Sequence, residues 1–102
     1  MVRTAPMIGG GRVTVASSQQ QDAGVVSLRA DEAPPADRAF QMWKIRGTGP
    51  AVSAGVLPAG QASTVQVVDG VPGNDVFAVS VEPAGGSKVP TVPRIVAQVP
   101  LT

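Results

Sequence analysis

Val76-Phe77-Ala78-Val79-Ser80-Val81-Glu82-Pro83 is the stretch that decides the fold. Phe77, Val79 and Val81 alternate with Ala78, Ser80 and Glu82, a period of two that sends successive side chains to opposite faces of a strand. Pro83-Ala84-Gly85-Gly86-Ser87 follows as a turn signal, because proline presets φ to open a type I turn and glycine accepts a positive φ. A hairpin with a loop of about four or five residues is therefore expected. The last strand is Arg94 to Val99, with Ile95, Ala97 and Val99 on one face. Pro90, Pro93 and Pro100 lack the backbone N–H that a central strand must donate, so this last strand belongs at a sheet edge or pairs only over a short length.

The same alternation recurs upstream. Arg12 to Ser18 sets Val13 and Val15 against Arg12, Thr14 and Ala16, and after Gln19 to Gly24 the run Val25 to Ala30 turns Val26, Leu28 and Ala30 inward. These two segments read as a hairpin. Asp31 to Asp37 holds Pro34 and Pro35, which break the pattern and mark a crossover loop. Ala39 to Arg46 carries Phe40 and Met42 on one face and Trp43 and Ile45 on the other, as expected of a central or covered strand. Val52 to Leu57 is a further strand, and Ser63 to Val68 another with Val65 and Val67 inward. Asp69 to Asp75 is a loop of turn formers. Residues 1–8 are expected to be a short edge strand or a tail.

Composition agrees with strands. The 102 residues contain 18 Val against 3 Leu and 3 Ile, and the 12 Gly and 10 Pro are spread between the apolar runs. Val is stiff at χ1 and suits a pleated surface, and dispersed turn formers indicate frequent reversals. The expected architecture is one all-β domain over residues 1–102, an antiparallel β-sandwich of Ig-like or related Greek-key type with six to eight short strands and no significant helix. The uncharged stretch from Gly47 to Val68 is interrupted by Gly and Pro, so it is not read as a membrane-spanning helix.

Absent residue types narrow the chemistry. With no His and no Cys, the chain cannot itself form a Ser-His-Asp triad, a thiolate nucleophile or a zinc finger. A net charge of +1 with scattered basic residues gives no nucleic-acid patch. Asp22, Asp69 and Asp75 fall in turns, where Asp serves local hydrogen bonding, Asp31 and Glu32 are adjacent in the Pro-rich loop, and the Asp69–Asp75 loop matches no EF-hand spacing. Gly85-Gly86-Ser87-Lys88 lacks the upstream glycine and the following helix of a phosphate-binding loop. No enzyme activity, metal or cofactor is expected. The one candidate surface is Trp43 with Lys44 and Arg46, which would offer a ring and two cations to a carbohydrate or peptide if Trp43 faced solvent; the alternative is that Trp43 packs in the core.

Two segments together resemble a known family. Phe40-Gln41-Met42-Trp43-Lys44-Ile45, and then Val79 to Ser87 followed by Pro90-Thr91, are similar to the extracytoplasmic domain of bacterial anti-sigma-K factors. Those proteins carry an aromatic-Gln-Leu-Trp strand and a Val-Thr-Val-Glu-Pro-Ala-Gly-Gly-Ser hairpin in the same order. Met42 stands here for the commoner Leu, and Ser80 for Thr. The opening Gly-Arg-Val-Thr-Val strand and Ala54-Gly55 extend the likeness over nearly the whole chain.

The resemblance implies the outer part of a single-pass membrane regulator on the extracytoplasmic side of the bacterial membrane. Its sigma-factor-binding cytoplasmic domain and its membrane helix would lie outside these residues, with Met1 opening only the outer part. It further implies control of an extracytoplasmic-function sigma factor, released when site-1-type and intramembrane proteases cut the parent. As an isolated domain the chain would be monomeric. The family supplies no catalytic or ligand residues. Trp43 is expected in the core, Glu82 at a strand end, and Pro83 to Ser87 in a turn.

Overall fold

The computed structural model describes residues 1–102. Eight strands form: β1 (Val2–Pro6), β2 (Gly11–Ser18), β3 (Ala23–Ala30), β4 (Arg38–Ile45), β5 (Val52–Val56), β6 (Ser63–Asp69), β7 (Val76–Pro83) and β8 (Ile95–Pro100). A single 3₁₀ turn at Val92–Arg94 is the only helical element. Every strand pairing is antiparallel. One four-stranded sheet has the order β1-β2-β3-β6 and the other β5-β4-β7-β8. The chain changes sheet after β3, after β5 and after β6, the Greek-key interleaving of Ig-related sandwiches.

The sandwich closes where the two valine-rich faces meet. Val13, Val15, Val26, Leu28 and Val68 from the first sheet pack with Phe40, Met42, Phe77, Val79 and Val99 from the second. Val71 and Leu101 join the same cluster from outside the strands. Ile8 N–H donates to the Val96 carbonyl at 2.8 Å, tying the segment after β1 to β8 in the opposite sheet. The β2–β3 hairpin and the Asp31–Asp37 crossover form as the alternation and the prolines indicate. The proline-flanked β8 lies at a sheet edge, consistent with its missing donors.

Two expectations need correction. Val65 and Val67 point to solvent, 72% and 71% exposed, while Val68 is buried. The pairing with β3 decides this. Val26 and Leu28 face the core, and their register partners are Gln66 and Thr64. Directly opposed residues share a face, so Thr64, Gln66 and Val68 must turn inward; a one-residue slip would reverse every side chain. Three valines within four positions had left the phase ambiguous.

The second correction concerns the connection after Pro83. Gly86 N–H donates to the Pro83 carbonyl at 2.9 Å, closing a turn. Gly85 occupies its third position with φ 89, the positive angle of a type II turn instead of type I. The chain does not then enter β8. Residues 84–94 cross the outer face of the second sheet first, so β7 and β8 pair across a strap and not across a tight hairpin.

These placements separate core from surface in a way that substitution measures. Leu28→Ala should lower the unfolding free energy by about 2–5 kcal/mol in urea titration, as for a cavity cut in a packed core. Val67→Thr should change it by less than about 0.5 kcal/mol.

Candidate functional site

The strap is held by polar side chains that the second sheet turns away from the core. On β4 these are Gln41 and Trp43, and on β7 they are Ser80 and Glu82; all four are buried. Register pairs Gln41 with Ser80 and Trp43 with Ala78, confirming a shared face opposite to Phe40, Met42 and Val79. Both faces of β4 and β7 are thus covered, one by the first sheet and one by residues 84–94.

Glu82 is the centre of this arrangement. Its carboxylate is 0% exposed and accepts from the Thr91 backbone N–H at 2.8 Å, the Thr91 hydroxyl at 2.7 Å and the Ser80 hydroxyl at 2.6 Å. Ser80 in turn accepts from the Trp43 indole N–H at 2.9 Å. The result is a directed chain from indole through hydroxyl to carboxylate, with each group used in the sense its chemistry allows. No buried side-chain nitrogen or oxygen in the molecule lacks a hydrogen-bond partner.

Gln41 fastens the strap at a second point. Its Oε1 accepts from Ser87 N–H at 2.8 Å, and its Nε2 donates to the Ser87 carbonyl and the Ser53 hydroxyl, each at 3.0 Å. One amide side chain thus meets both backbone groups of Ser87, much as a neighbouring strand would. Gly86 makes the approach possible. It has φ 91, and a Cβ there would lie 2.7 Å from Val56 Cγ2 and 3.0 Å from Gln41 Oε1.

Burial works against the charged form of Glu82. The donors from Ser80, from Thr91 N–H and Oγ1, and from the Ser87 hydroxyl outweigh it, and hold the carboxyl below its ordinary value of 4.5. Hydrogen bonds to an ionised acceptor are the stronger kind.

Trp43, Lys44 and Arg46 are not brought onto one surface. Trp43 is 0% exposed, so no ring face is open for a sugar to stack on. It is buried in the core, as expected, on the strap side of the second sheet and apart from the inter-sheet cluster. Lys44 lies on the other face, at the mouth of the sandwich, where Nζ donates to the Asp69 carbonyl at 2.8 Å. Arg46 is exposed beside it, and the two line an open cleft with Gly49, Pro50, Val52 and Asn74. In the Asp69–Asp75 loop, Asn74 donates to the carbonyls of Gly70 and Val71, and Asp75 accepts from Gly47 N–H. These residues shape the turn.

Periodicity could not reveal Gln41, Ser80 and Thr91 as partners, since it reports which face a residue takes and not what crosses that face. Their signal lay in the co-occurrence of the two quoted segments, which the fold brings into contact.

Fold and site together define a class: an antiparallel β-sandwich module whose second sheet is strapped down through a buried carboxylate. Residues 1–95 match the family described as anti-sigma-K factor RskA, C-terminal, and the chain belongs to it. It is 38% identical over 101 residues to an anti-sigma-K factor RskA of Mycobacterium sp. strain KMS, covering 97% of this chain and 41% of that protein. Against the namesake from Mycolicibacterium vanbaalenii the identity is 36% over 96 residues, covering 92% and 40%. A Mycobacterium ulcerans relative of the same name is 33% identical over 96 residues. The chain spans about two fifths of the length of these curated relatives. No solved structure matches it.

Two consequences of the strap are measurable. Because the carboxyl value is lowered in the folded state, Glu82 contributes stability in full above 4.5, its ordinary value. As pH falls through the lowered folded value, the unfolded chain takes up a proton first and that contribution is lost. The urea midpoint should therefore fall below about pH 4.5 in the native chain, and more shallowly in Glu82→Gln. Gly86→Ala should cost about 1–3 kcal/mol and shift Trp43 fluorescence to the red.

Proposed function

We propose that this chain is the extracytoplasmic regulatory domain of a membrane-bound anti-sigma factor, controlling an extracytoplasmic-function sigma factor through regulated proteolysis of the parent. Membership of the anti-sigma-K factor RskA C-terminal family over residues 1–95 is the observation that carries this reading. Sigma-factor contact and membrane attachment are assigned to the parts of the parent that correspond to the remaining length of the relatives. No helix in residues 1–102 is long and apolar enough to cross a membrane.

The domain's contribution is non-enzymatic. A protease binds its substrate as an extended, locally unfolded strand, so a body that opens only at a cost withholds the site it shields. Sheets buried against each other, and a strap fastened at Gln41 and Glu82, supply that cost. A signal acts by lowering it, after which a site-1-type protease and then an intramembrane protease cut the parent and free the sigma factor.

Limited proteolysis tests the shielding. Cuts should fall in the Asp31–Asp37 loop, with the remainder, the paired β1 included, surviving. In cells, parent protein carrying Gly86→Ala should be cleaved without the signal and should raise sigma-dependent transcription several-fold. Wholesale digestion of the native domain at low protease, or unchanged cleavage of a destabilised parent, would contradict the proposal.

A further inference from the structure

The outer face of the first sheet has no strap. Val2, Ala16, Val25 and Val67 are register partners in turn, so they form one apolar row across all four strands. Its valines are 65%, 46% and 71% exposed in that order, and Val65, one row away, is 72% exposed. Alternation places Arg12 and Arg29 on the same face at one end of the strands, and Asp69 at the other. All three are exposed. Large β-branched residues gathered on one open face, with opposite charges at its two ends, are unlike the scattered apolar residues of an ordinary surface.

We propose that this face binds a second copy of the chain, sheet against sheet, in place of the monomer expected of the isolated domain. Self-association through one face requires a two-fold axis lying in the interface. An axis running along the strands would set Arg12 and Arg29 over their own counterparts. An axis running across the strands reverses their direction, which carries the arginine end of one copy over the Asp69 end of the other and lays Val65 over the row that contains Val67. The charges therefore select the second arrangement, and the same patch satisfies both partners.

Strand spacing and rise give this face a footprint of roughly 400 Å² per copy. That is about half of what a standard stable interface buries on each side, so the dimer is weak and concentration-dependent, with a dissociation constant on the order of 0.1 mM. At the surface of a membrane, where a tethered parent is locally concentrated, such an affinity is sufficient to matter.

Sedimentation velocity on residues 1–102 between about 10 μM and about 1 mM tests the proposal. The mean mass should rise toward that of a dimer. Val65→Lys/Val67→Lys should remain monomeric with an unchanged melting temperature, since both side chains are already in solvent. Arg29→Asp should weaken association about five- to tenfold at low salt, and Arg29→Asp/Asp69→Arg should restore it. A monomer at the highest concentration, or dimerisation surviving the paired lysines, would overturn the inference. So would a charge reversal that fails to restore association. Protection of β6 edge amides from hydrogen exchange on association would also overturn it, showing strand-to-strand addition instead. None of these outcomes bears on the regulatory reading, which rests on the strap and the family.

Discussion

A carboxylate with no exposed surface and no cation beside it organises this molecule. Glu82 would be costly to bury alone, because moving a charge out of water is repaid only by well-aligned donors. Thr91 offers its backbone N–H and its hydroxyl, and Ser80 offers its hydroxyl. Once those groups are committed, residues 84–94 must lie across the outer face of the second sheet. Trp43 is then sealed, Gln41 meets Ser87, and both faces of β4 and β7 become interior. A domain of 102 residues with only 3 aromatic side chains' worth of bulk, counting one Trp and two Phe, thereby gains a second covered layer.

Much of the fold could be read from alternation alone. The valine pairs at Val13/Val15 and Val79/Val81 fix which face of each strand is apolar, and the prolines at Pro34, Pro35 and Pro100 fix where strands stop or stand at an edge. Alternation failed at Val65, Val67 and Val68, where neighbouring positions are all apolar and only the register with Leu28 and Val26 settles the phase. It also failed after Pro83. A turn signal specifies a local reversal of the chain, but where the chain goes next depends on long-range partners, here Gln41 and Glu82.

The site was legible in a weaker sense. Gln41, Trp43, Ser80, Glu82 and Thr91 all stood in the two segments that resemble anti-sigma-K factors, yet nothing local distinguishes a glutamine that clamps a backbone from one that faces water. Trp43 shows the limit clearly. Its neighbours Lys44 and Arg46 suggest an exposed platform and its size suggests the core; it is buried, as its size suggests, and what size cannot show is the side it takes, toward the strap, where the indole donates to Ser80. What the two segments share is a buried hydrogen-bonded fastening of the strap to the second sheet.

If the module regulates by staying closed, as proposed, its closure is set by the strap, so the strap's own opening is the decisive quantity. Native-state hydrogen exchange at the Thr91 amide and the Trp43 indole N–H measures it directly. Both protons should exchange only through global unfolding, with the same opening free energy and denaturant dependence as the buried amides of β7. Fast, denaturant-independent exchange at either proton while β7 stays protected would show that the strap opens by itself, and would contradict the central role given to Glu82.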